Sequence, residues 1–445
     1  MSGPSARGWQ RMARGALVVC ALAAVTSCER RPSRAEAAPT TSSAGAVRDD
    51  ARARENERIR AHNEIVALVE QGALDRAEAL LTEHASLLAD FAPTESTRLG
   101  ILLRRARAAI DGGDLIAADR AVSRALMLAP DDASVKTSAA SVLVARARAA
   151  DARSDKRAFL DRAIEIDPTS AAALVDRARI AEDENDLERA RELLDRAKQT
   201  GALIAGIEDK LATLAKQSEV EGEFSDVRST NFVVRFHGYA NETVAWSAVR
   251  GLERAYVRVN ERLSLRPPDE ITVVLYSGDA YRDAVGAPDW SGGIYDGKIR
   301  IKEGDVARES GRLDDILFHE YTHALLARAT KAPLPAWLHE GIAQVMEPSF
   351  AVAKHKELVV RAKQSDALLP LETMSTTFTV LPAERARVAY AIAALVTERM
   401  VARQGHSGVA RVLSLCDGGL ALDEAFLRVF GVELTRFYDD ALDAP

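Results

Sequence analysis

The uneven distribution of aromatic residues divides this chain of 445 residues into two halves that must be built differently. Between residues 29 and 220 the aromatic side chains are Phe91 and Phe159, whereas residues 221–445 contain 20 of them. The first half is instead rich in Ala, Arg and Leu. We therefore expect a core of small side chains in the first half and an ordinary mixed core in the second.

Composition and charge exclude several classes of protein. The chain is 47% hydrophobic and 28% charged, which is normal for a globular protein of two or three domains at roughly 150 residues each. A net charge of −7 and a pI near 5.8 argue against a nucleic-acid partner. Three cysteines cannot build a disulfide framework. No run of apolar residues reaches the roughly 18 that a membrane-spanning helix needs.

The N-terminal residues predict an export signal followed by a membrane anchor. Residues 1–14 contain arginines and no acid, and residues 15–27 are small and apolar, which together predict a signal peptide over 1–27. The sequence VTSC that ends at Cys28 resembles a bacterial lipobox, which implies lipidation of this cysteine, although an ordinary secretory signal remains the alternative. We expect a lipid anchor in a bacterial cell envelope, facing the periplasm. Glu29 at the next position weakly favours the outer membrane.

Two further segments complete the N-terminal half. Residues 28–56 lack an apolar period and predict a flexible tether. Over residues 57–216, Ala and Leu recur at helical spacing, and the stretches GDL at 113–115 and NDL at 185–187 each open a predicted helix. The pattern is similar to tetratricopeptide repeats, although the aromatic positions of that family are missing. Two roles remain open, a concave surface for a peptide or partner protein and a spacer that lifts the second half off the membrane.

The second half contains the pattern HExxH, from His319 through Glu320 to His323. Residues four apart share one face of a helix, so both imidazoles can reach one metal ion, for which Zn²⁺ is the expected choice. Glu320 is turned about 100° from His319 and can take the proton of a metal-bound water as general base. Apolar residues flank the motif on both sides, as expected for a buried active-site helix.

A third ligand is expected in LPAWLHEGIA, residues 334–343, where a second helix starts near Ala336. Glu340, 17 residues after His323, is the predicted ligand. HExxH followed by LPxWLxEGxA resembles the gluzincin metallopeptidases, specifically the peptidase MA-like domains, over residues 225–445.

The resemblance implies zinc bound by His319, His323 and Glu340, with Glu320 as the general base, in a zincin-like α+β domain. The whole chain is therefore predicted to be α+β, with an all-α helical-repeat domain followed by the peptidase domain.

The remaining site residues follow no complete motif. Thermolysin-like relatives have an Asp four residues after the glutamate ligand, where this chain has Gln344, and Glu347 is the alternative support for a ligand histidine. Tyr390 is the predicted donor to the oxyanion, with core packing of its ring as the alternative. His339 beside the ligand is either a further donor or a surface residue.

The strands predict where a substrate would lie. Segments 232–236 and 271–276 are predicted strands, a polar linker over 217–230 precedes them, and residues 293–301 are a predicted hairpin with an Asp-Gly turn. By the resemblance, strand 298–302 is expected to be the edge above the metal with which a substrate backbone pairs. Trp290 and Tyr295 are candidates to shape the mouth of the cleft, with structural roles as the alternative.

Three functions remain open at this stage. The first is a membrane-anchored zinc endopeptidase that hydrolyses envelope proteins or peptides. The second is a catalytically silent repeat lipoprotein that acts as a binding or assembly factor. The third is a hydrolase of non-peptide substrates such as wall-linked amides. The intact HExxH and Glu340 favour hydrolysis, because a binding protein has no use for Glu320.

Overall fold

The computed structural model describes residues 43–238, 242–277, 280–281, 284, 293–302, 304 and 311–443. The expected signal peptide, Cys28, the first part of the tether and Trp290 lie outside these residues. By contacts the chain divides into two units, 1–63 and 64–445. Within the described part of the chain, no helix combines the length and the apolar character that crossing a membrane requires.

Helix α1 (Ser43–Glu70) begins inside the segment for which a flexible tether was expected. Its first half alternates alanine with arginine and acidic residues, and Arg58 lies 3.9 Å from Glu55 one turn before it. Alanine and long charged side chains have strong helix propensity. Residues 43–56 are therefore helical, although they have no apolar period.

Residues 64–221, here called the helical segment, continue α1 with a series of helices in which each packs against the next. Their bounds are α2 Leu74–Glu83, α3 Pro93–Asp111, α4 Leu115–Leu128, α5 Ala133–Ala149, α6 Arg153–Ile166, α7 Ala171–Asp183, α8 Leu187–Gln199 and α9 Ile207–Glu221. Asp114 and Asp186 cap α4 and α8, each accepting a hydrogen bond from a backbone N–H three residues on. The all-α prediction for this part is confirmed.

The C-terminal segment, residues 224–443, begins with a five-stranded sheet in the order β1-β2-β3-β5-β4. The strands are β1 Phe224–Arg228, β2 Phe232–His237, β3 Ile271–Tyr276, β4 Gly293–Tyr295 and β5 Ile299–Lys302. Pairs β1–β2 and β4–β5 are antiparallel, and β2, β3 and β5 run parallel. The predicted hairpin is confirmed, with its turn at Asp296–Gly297.

The expectation that strand 298–302 is the edge is wrong. This strand is β5, which pairs with β3 on one side and with β4 on the other. Consecutive side chains of β5 are buried on both faces, Ile299 on one and Arg300 on the other, as in an interior strand. The edge on this side of the described sheet is β4.

Helices cover both faces of the sheet. Helices α10 (Glu242–Leu263) and α11 (Gly311–Ala329) share one hydrophobic core with one face. The other face, at Val274 and Tyr276, packs against Val220 of α9. A polar linker was expected over 217–230, but α9 continues to Glu221 and β1 follows at once, because the end of α9 is buried against the sheet.

The remaining helices complete the α+β fold. They are α12 Ala336–Met346, α13 Val352–Gln364, α14 Ala383–Asp417, α15 Leu422–Phe430 and α16 Leu434–Asp443. Helix α14 is broken at Gly405, whose φ of 66° lies in the left-handed region that glycine adopts freely. The predicted fold class, all-α helices followed by an α+β domain, is confirmed.

Candidate metal centre

The HExxH residues lie in the middle of α11, which packs into the hydrophobic core together with the sheet, α10 and α12. Leu317 and Phe318 are buried, and Gly251 of α10 lets the two helices approach closely, because a Cβ at Gly251 would clash with Leu317. One turn of helix separates His319 from His323, so both rings emerge on the same face.

Three side-chain atoms converge at this face. The Nε2 atoms of His319 and His323 lie 3.1 Å apart, and each lies 3.4 Å from Oε2 of Glu340. Among the described residues, these are the three whose ligand atoms all lie within 4.8 Å of one another. Atoms bound tetrahedrally to zinc at ~2.0–2.1 Å are separated by about 3.3 Å. The triangle therefore matches one face of a zinc coordination tetrahedron.

Helix α12 presents Glu340. Its neighbour Gly341 lies against α14, where a Cβ would clash with the hydroxyl of Thr397 and the carbonyl of Ala393. This close crossing fixes the position of Glu340 opposite α11. The Oε2 atom of Glu340 is buried and has no hydrogen-bond partner within the described structure. A buried carboxylate oxygen that faces two imidazole nitrogens is satisfied by a cation.

The charges around the triangle favour a cation as well. Burial lowers the pKa of His319, but the carboxylates of Glu340 and Glu347 outweigh it and hold that pKa well above its usual value. Burial raises the pKa of Glu340, but His323 and His319 outweigh it, so this carboxyl is deprotonated. The donor set of two imidazoles and one carboxylate suits zinc.

Glu347 holds His319 from outside the triangle. Its Oε1 lies 2.8 Å from Nδ1 of His319, so with Nε2 in the triangle the Nδ1–H donates to this carboxylate. Gln344 does not take this place, because its amide nitrogen donates to the backbone oxygens of Glu340 and Tyr390, at 3.3 and 3.0 Å. Of the two candidates from the sequence, the structure brings Glu347 to the histidine.

His339 holds the second histidine, a contact that the sequence did not predict. Nδ1 of His339 lies 2.9 Å from Nδ1 of His323, and the rings stack with centroids 5.1 Å apart. Burial, together with the neighbouring His323, lowers the pKa of His339 to about 4, so the ring is neutral and can accept the Nδ1–H of His323. The only signal in the sequence was the position of His339 beside Glu340.

Glu320 faces the site from below strand β4. It is 6% exposed, and its Oε2 has no hydrogen-bond partner within the described structure. Burial raises the pKa of this carboxyl; His319 and His323 oppose the rise, and the charges of Glu340 and Glu347 add to it. A Cβ on Gly293, the first residue of β4, would come within 2.8 Å of Cγ of Glu320. The edge strand therefore passes directly over Glu320, and only glycine permits this approach.

Tyr390 of α14 lies close enough to the site for the charges of Glu340 and Glu320 to act on its phenol. Burial raises the pKa of its phenol, and the carboxylates of Glu340 and Glu320 raise it further, so the phenol keeps its proton. The ring also packs edge-on against Phe378, with centroids 5.2 Å apart. Packing and proximity to the site, which the sequence analysis treated as alternatives, therefore coexist. Tyr295, at the end of β4, is instead bonded through its hydroxyl to Arg328 at 3.2 Å.

The chain matches no curated protein. One family model matches, and it covers the region in which these side chains converge. Residues 252–441, from the middle of α10 to α16, match the model of the Peptidase MA superfamily, which supports a zincin-like peptidase domain in this part of the chain.

Proposed function

We propose that this chain is a zinc-dependent endopeptidase in which His319, His323 and Glu340 hold the metal and Glu320 is the general base. The observation that carries the proposal is the convergence of two Nε2 atoms and one Oε2 at 3.1–3.4 Å, with a buried carboxylate of raised pKa beside them. The match to the Peptidase MA superfamily supports a peptide or protein substrate.

The chain's own groups suit the steps of amide hydrolysis. Zinc held by the triangle would supply a Lewis acid that lowers the pKa of water and polarises the scissile carbonyl. Glu320 takes the proton of the attacking water and delivers it to the leaving amine, for which a carboxyl of raised pKa is well matched. Tyr390 donates a hydrogen bond to the carbonyl oxygen as that oxygen gains negative charge.

Strand β4 gives the substrate its place. It is the last strand of the described sheet, and Gly293 brings it directly over Glu320. An extended peptide added to this edge would lie next to Glu320. We propose β4, not β5, as the strand that pairs with the substrate backbone.

We also propose that the enzyme works in a bacterial cell envelope. Cys28 in its lipobox-like context supports a lipid anchor on the periplasmic side, with the outer membrane favoured, and substrates among envelope proteins or peptides. These proposals depend on the sequence alone. Mass spectrometry of the purified chain tests the anchor, because a lipidated Cys28 would be the first residue and would carry the mass of its acyl chains.

The test of the catalytic proposal is the variant Glu320→Gln, measured as full chain in detergent. We expect it to retain one zinc per chain, because Glu320 is not part of the triangle, and to lose hydrolysis of an unfolded protein substrate by about 100- to 10,000-fold. Zinc is measured by mass spectrometry and hydrolysis by the appearance of new amino termini. Glu357→Gln, an exposed carboxylate on α13, is the matched control and should behave as the parent.

Two outcomes would contradict the proposal. Hydrolysis by Glu320→Gln at the parent rate would exclude Glu320 as the base. A zinc-loaded parent that cleaves no unfolded protein and no peptide library would favour the alternative, a binding lipoprotein with a silent site.

A further inference from the structure

The turn before α8 has an asparagine where the turns before α2 and α4 have glycine, and this asparagine contacts the β4–β5 hairpin. Gly72, Gly113 and Asn185 each lie two residues before the leucine that begins α2, α4 and α8, and all have positive φ, at 75°, 77° and 60°. Glycine adopts this conformation freely, whereas asparagine does so at some cost. A Cβ at Gly72 or Gly113 would meet nothing within 4 Å, so the Cβ position at each of these turns faces open space.

At the third turn the side chain has a partner. The Oδ1 atom of Asn185 accepts a hydrogen bond from Nζ of Lys298, and its backbone oxygen accepts one from Arg235 at 3.4 Å. Lys298 is only 1% exposed, and burial lowers the pKa of its ammonium to about 8. Within the described residues, Asn185 is the only side chain that accepts a hydrogen bond from this ammonium. The chain thus replaces glycine by asparagine at the turn where a buried cation needs an oxygen.

Lys298 lies in the turn of the β4–β5 hairpin, which is held at both ends. At the turn, Arg328 of α11 donates to the backbone oxygen of Gly297 at 2.8 Å, and Asp296 N–H donates to the oxygen of Lys298 at 3.2 Å. At the other end of the hairpin, Gly293 lies against Glu320. Because a three-residue strand separates the two ends, a displaced turn tilts β4 relative to Glu320.

We infer that Asn185 is a positioning residue of the catalytic cleft, which holds the hairpin turn through Lys298 and thereby keeps strand β4 aligned over the helix that carries Glu320. This inference depends on the proposed function. It makes the helical segment a working part of the cleft, rather than only a spacer or a separate binding surface.

The sharpest test is Asn185→Gly in the full chain, purified in detergent and loaded with zinc. Glycine is the residue of the equivalent turns, so the substitution removes the side chain and leaves the turn conformation favourable. Gly113→Asn is the matched control, since it places an asparagine at an equivalent turn whose Cβ position faces open space. The first readout is hydrogen–deuterium exchange of residues 293–302, which does not depend on activity.

In Asn185→Gly we expect exchange in the hairpin to become roughly 10-fold faster, because a buried ammonium loses its acceptor. Helices α11 and α12 should exchange at the parent rate. The zinc content should also equal that of the parent. For a peptide long enough to pair with β4, kcat/KM should fall by roughly 10- to 100-fold, mainly through KM. A blocked dipeptide that does not reach β4 should be hydrolysed at the parent rate, and Gly113→Asn should match the parent in every measurement.

Unchanged exchange in the hairpin would overturn the inference, and so would an equal rise throughout the C-terminal segment. The double variant Asn185→Gly with Lys298→Met provides a second, independent test. If the two residues act through one bond, its hairpin should exchange no faster than that of Lys298→Met alone, whereas additive effects would contradict the inference. If the parent hydrolyses nothing, the proposed function fails, while the exchange measurements still decide the role of Asn185.

Discussion

Each histidine of the HExxH pair is oriented by a different partner at Nδ1. His319 donates to the carboxylate of Glu347, and His323 donates to the neutral ring of His339. A carboxylate partner increases the basicity of a ligand imidazole, whereas a neutral imidazole mainly fixes its orientation. The two ligands are therefore expected to differ in how strongly they bind the metal, although both belong to one motif.

This asymmetry gives a prediction at the scale of single residues. Glu347→Gln should weaken zinc binding by about 10- to 100-fold, because an amide oxygen is a poorer acceptor for the His319 N–H than a carboxylate. Competition with a chromophoric chelator measures the affinity. Gln344→Leu is the comparison, since Gln344 donates to the backbone oxygens of Glu340 and Tyr390 and not to a side chain of the triangle. Equal losses in the two variants would mean that Glu347 acts only through packing.

At this scale the sequence predicted which three side chains converge, named Glu347 as one of two candidate supports for a histidine, and missed the contact of His339. The spacing of HExxH follows from helix geometry, and the resemblance of LPxWLxEGxA to the gluzincins implied Glu340, so the converging triangle could be expected. The contact of His339 could not, because it depends on the angle at which α12 crosses α11. Gln344 and Glu347 remained alternatives for the same reason, since one turn of α12 separates them.

At the scale of elements, the approach of strand β4 to helix α11 is the feature on which the cleft depends. Strand β4 is the edge of the described sheet, and it lies over Glu320 because Gly293 has no side chain. The hairpin was predictable from the alternating residues and the Asp-Gly turn. Which of its two strands is the edge was not, because strand order depends on the pairing of β5 with β3.

The variant Gly293→Ala tests this approach. The added methyl would lie within 2.8 Å of Cγ and 3.0 Å of Oε1 of Glu320, so the strand or the carboxylate must move. We expect kcat to fall by roughly 100-fold with zinc content unchanged, because the base rather than the ligands is displaced. Steady-state kinetics on a peptide substrate gives the value.

Gly100→Ala on α3 is the matched substitution, because the nearest atom to its Cβ would be 3.8 Å away at the end of a flexible arginine. It should leave kcat unchanged. An unaltered kcat in Gly293→Ala would show that β4 can retreat from Glu320 without loss of function.

At the scale of the whole molecule, the helical segment covers the face of the sheet that is turned away from α10 and α11, and it contributes side chains to the buried contacts there. Arg300 of β5 is fully buried, and its guanidinium lies 3.1 Å from Glu221 of α9, which also accepts from Tyr276. Charged groups are buried only where they are paired. The sequence suggested a linker here because Glu221 and its neighbours are polar, and only the fold shows that they are buried.

We predict that Glu221→Gln destabilises the C-terminal segment as well as α9, by about 3 kcal/mol, since it leaves a buried arginine short of one charge. Tryptophan fluorescence during urea unfolding measures this, in the chain without its signal peptide, because residues 29–220 contain no tryptophan. The fluorescence and far-ultraviolet circular dichroism transitions should coincide in the parent and shift together in the variant. Glu219→Gln, exposed on the same helix, should leave both in place. If the fluorescence transition of Glu221→Gln had the same midpoint as that of the parent, the two segments would unfold independently.

The length of strand β4 has a consequence for solubility. The backbone groups of an edge strand invite other copies of the same protein to add their own strands. Here that edge is three residues long, a span of about 10 Å. So short a strand offers other copies few backbone groups, which limits self-association through this edge.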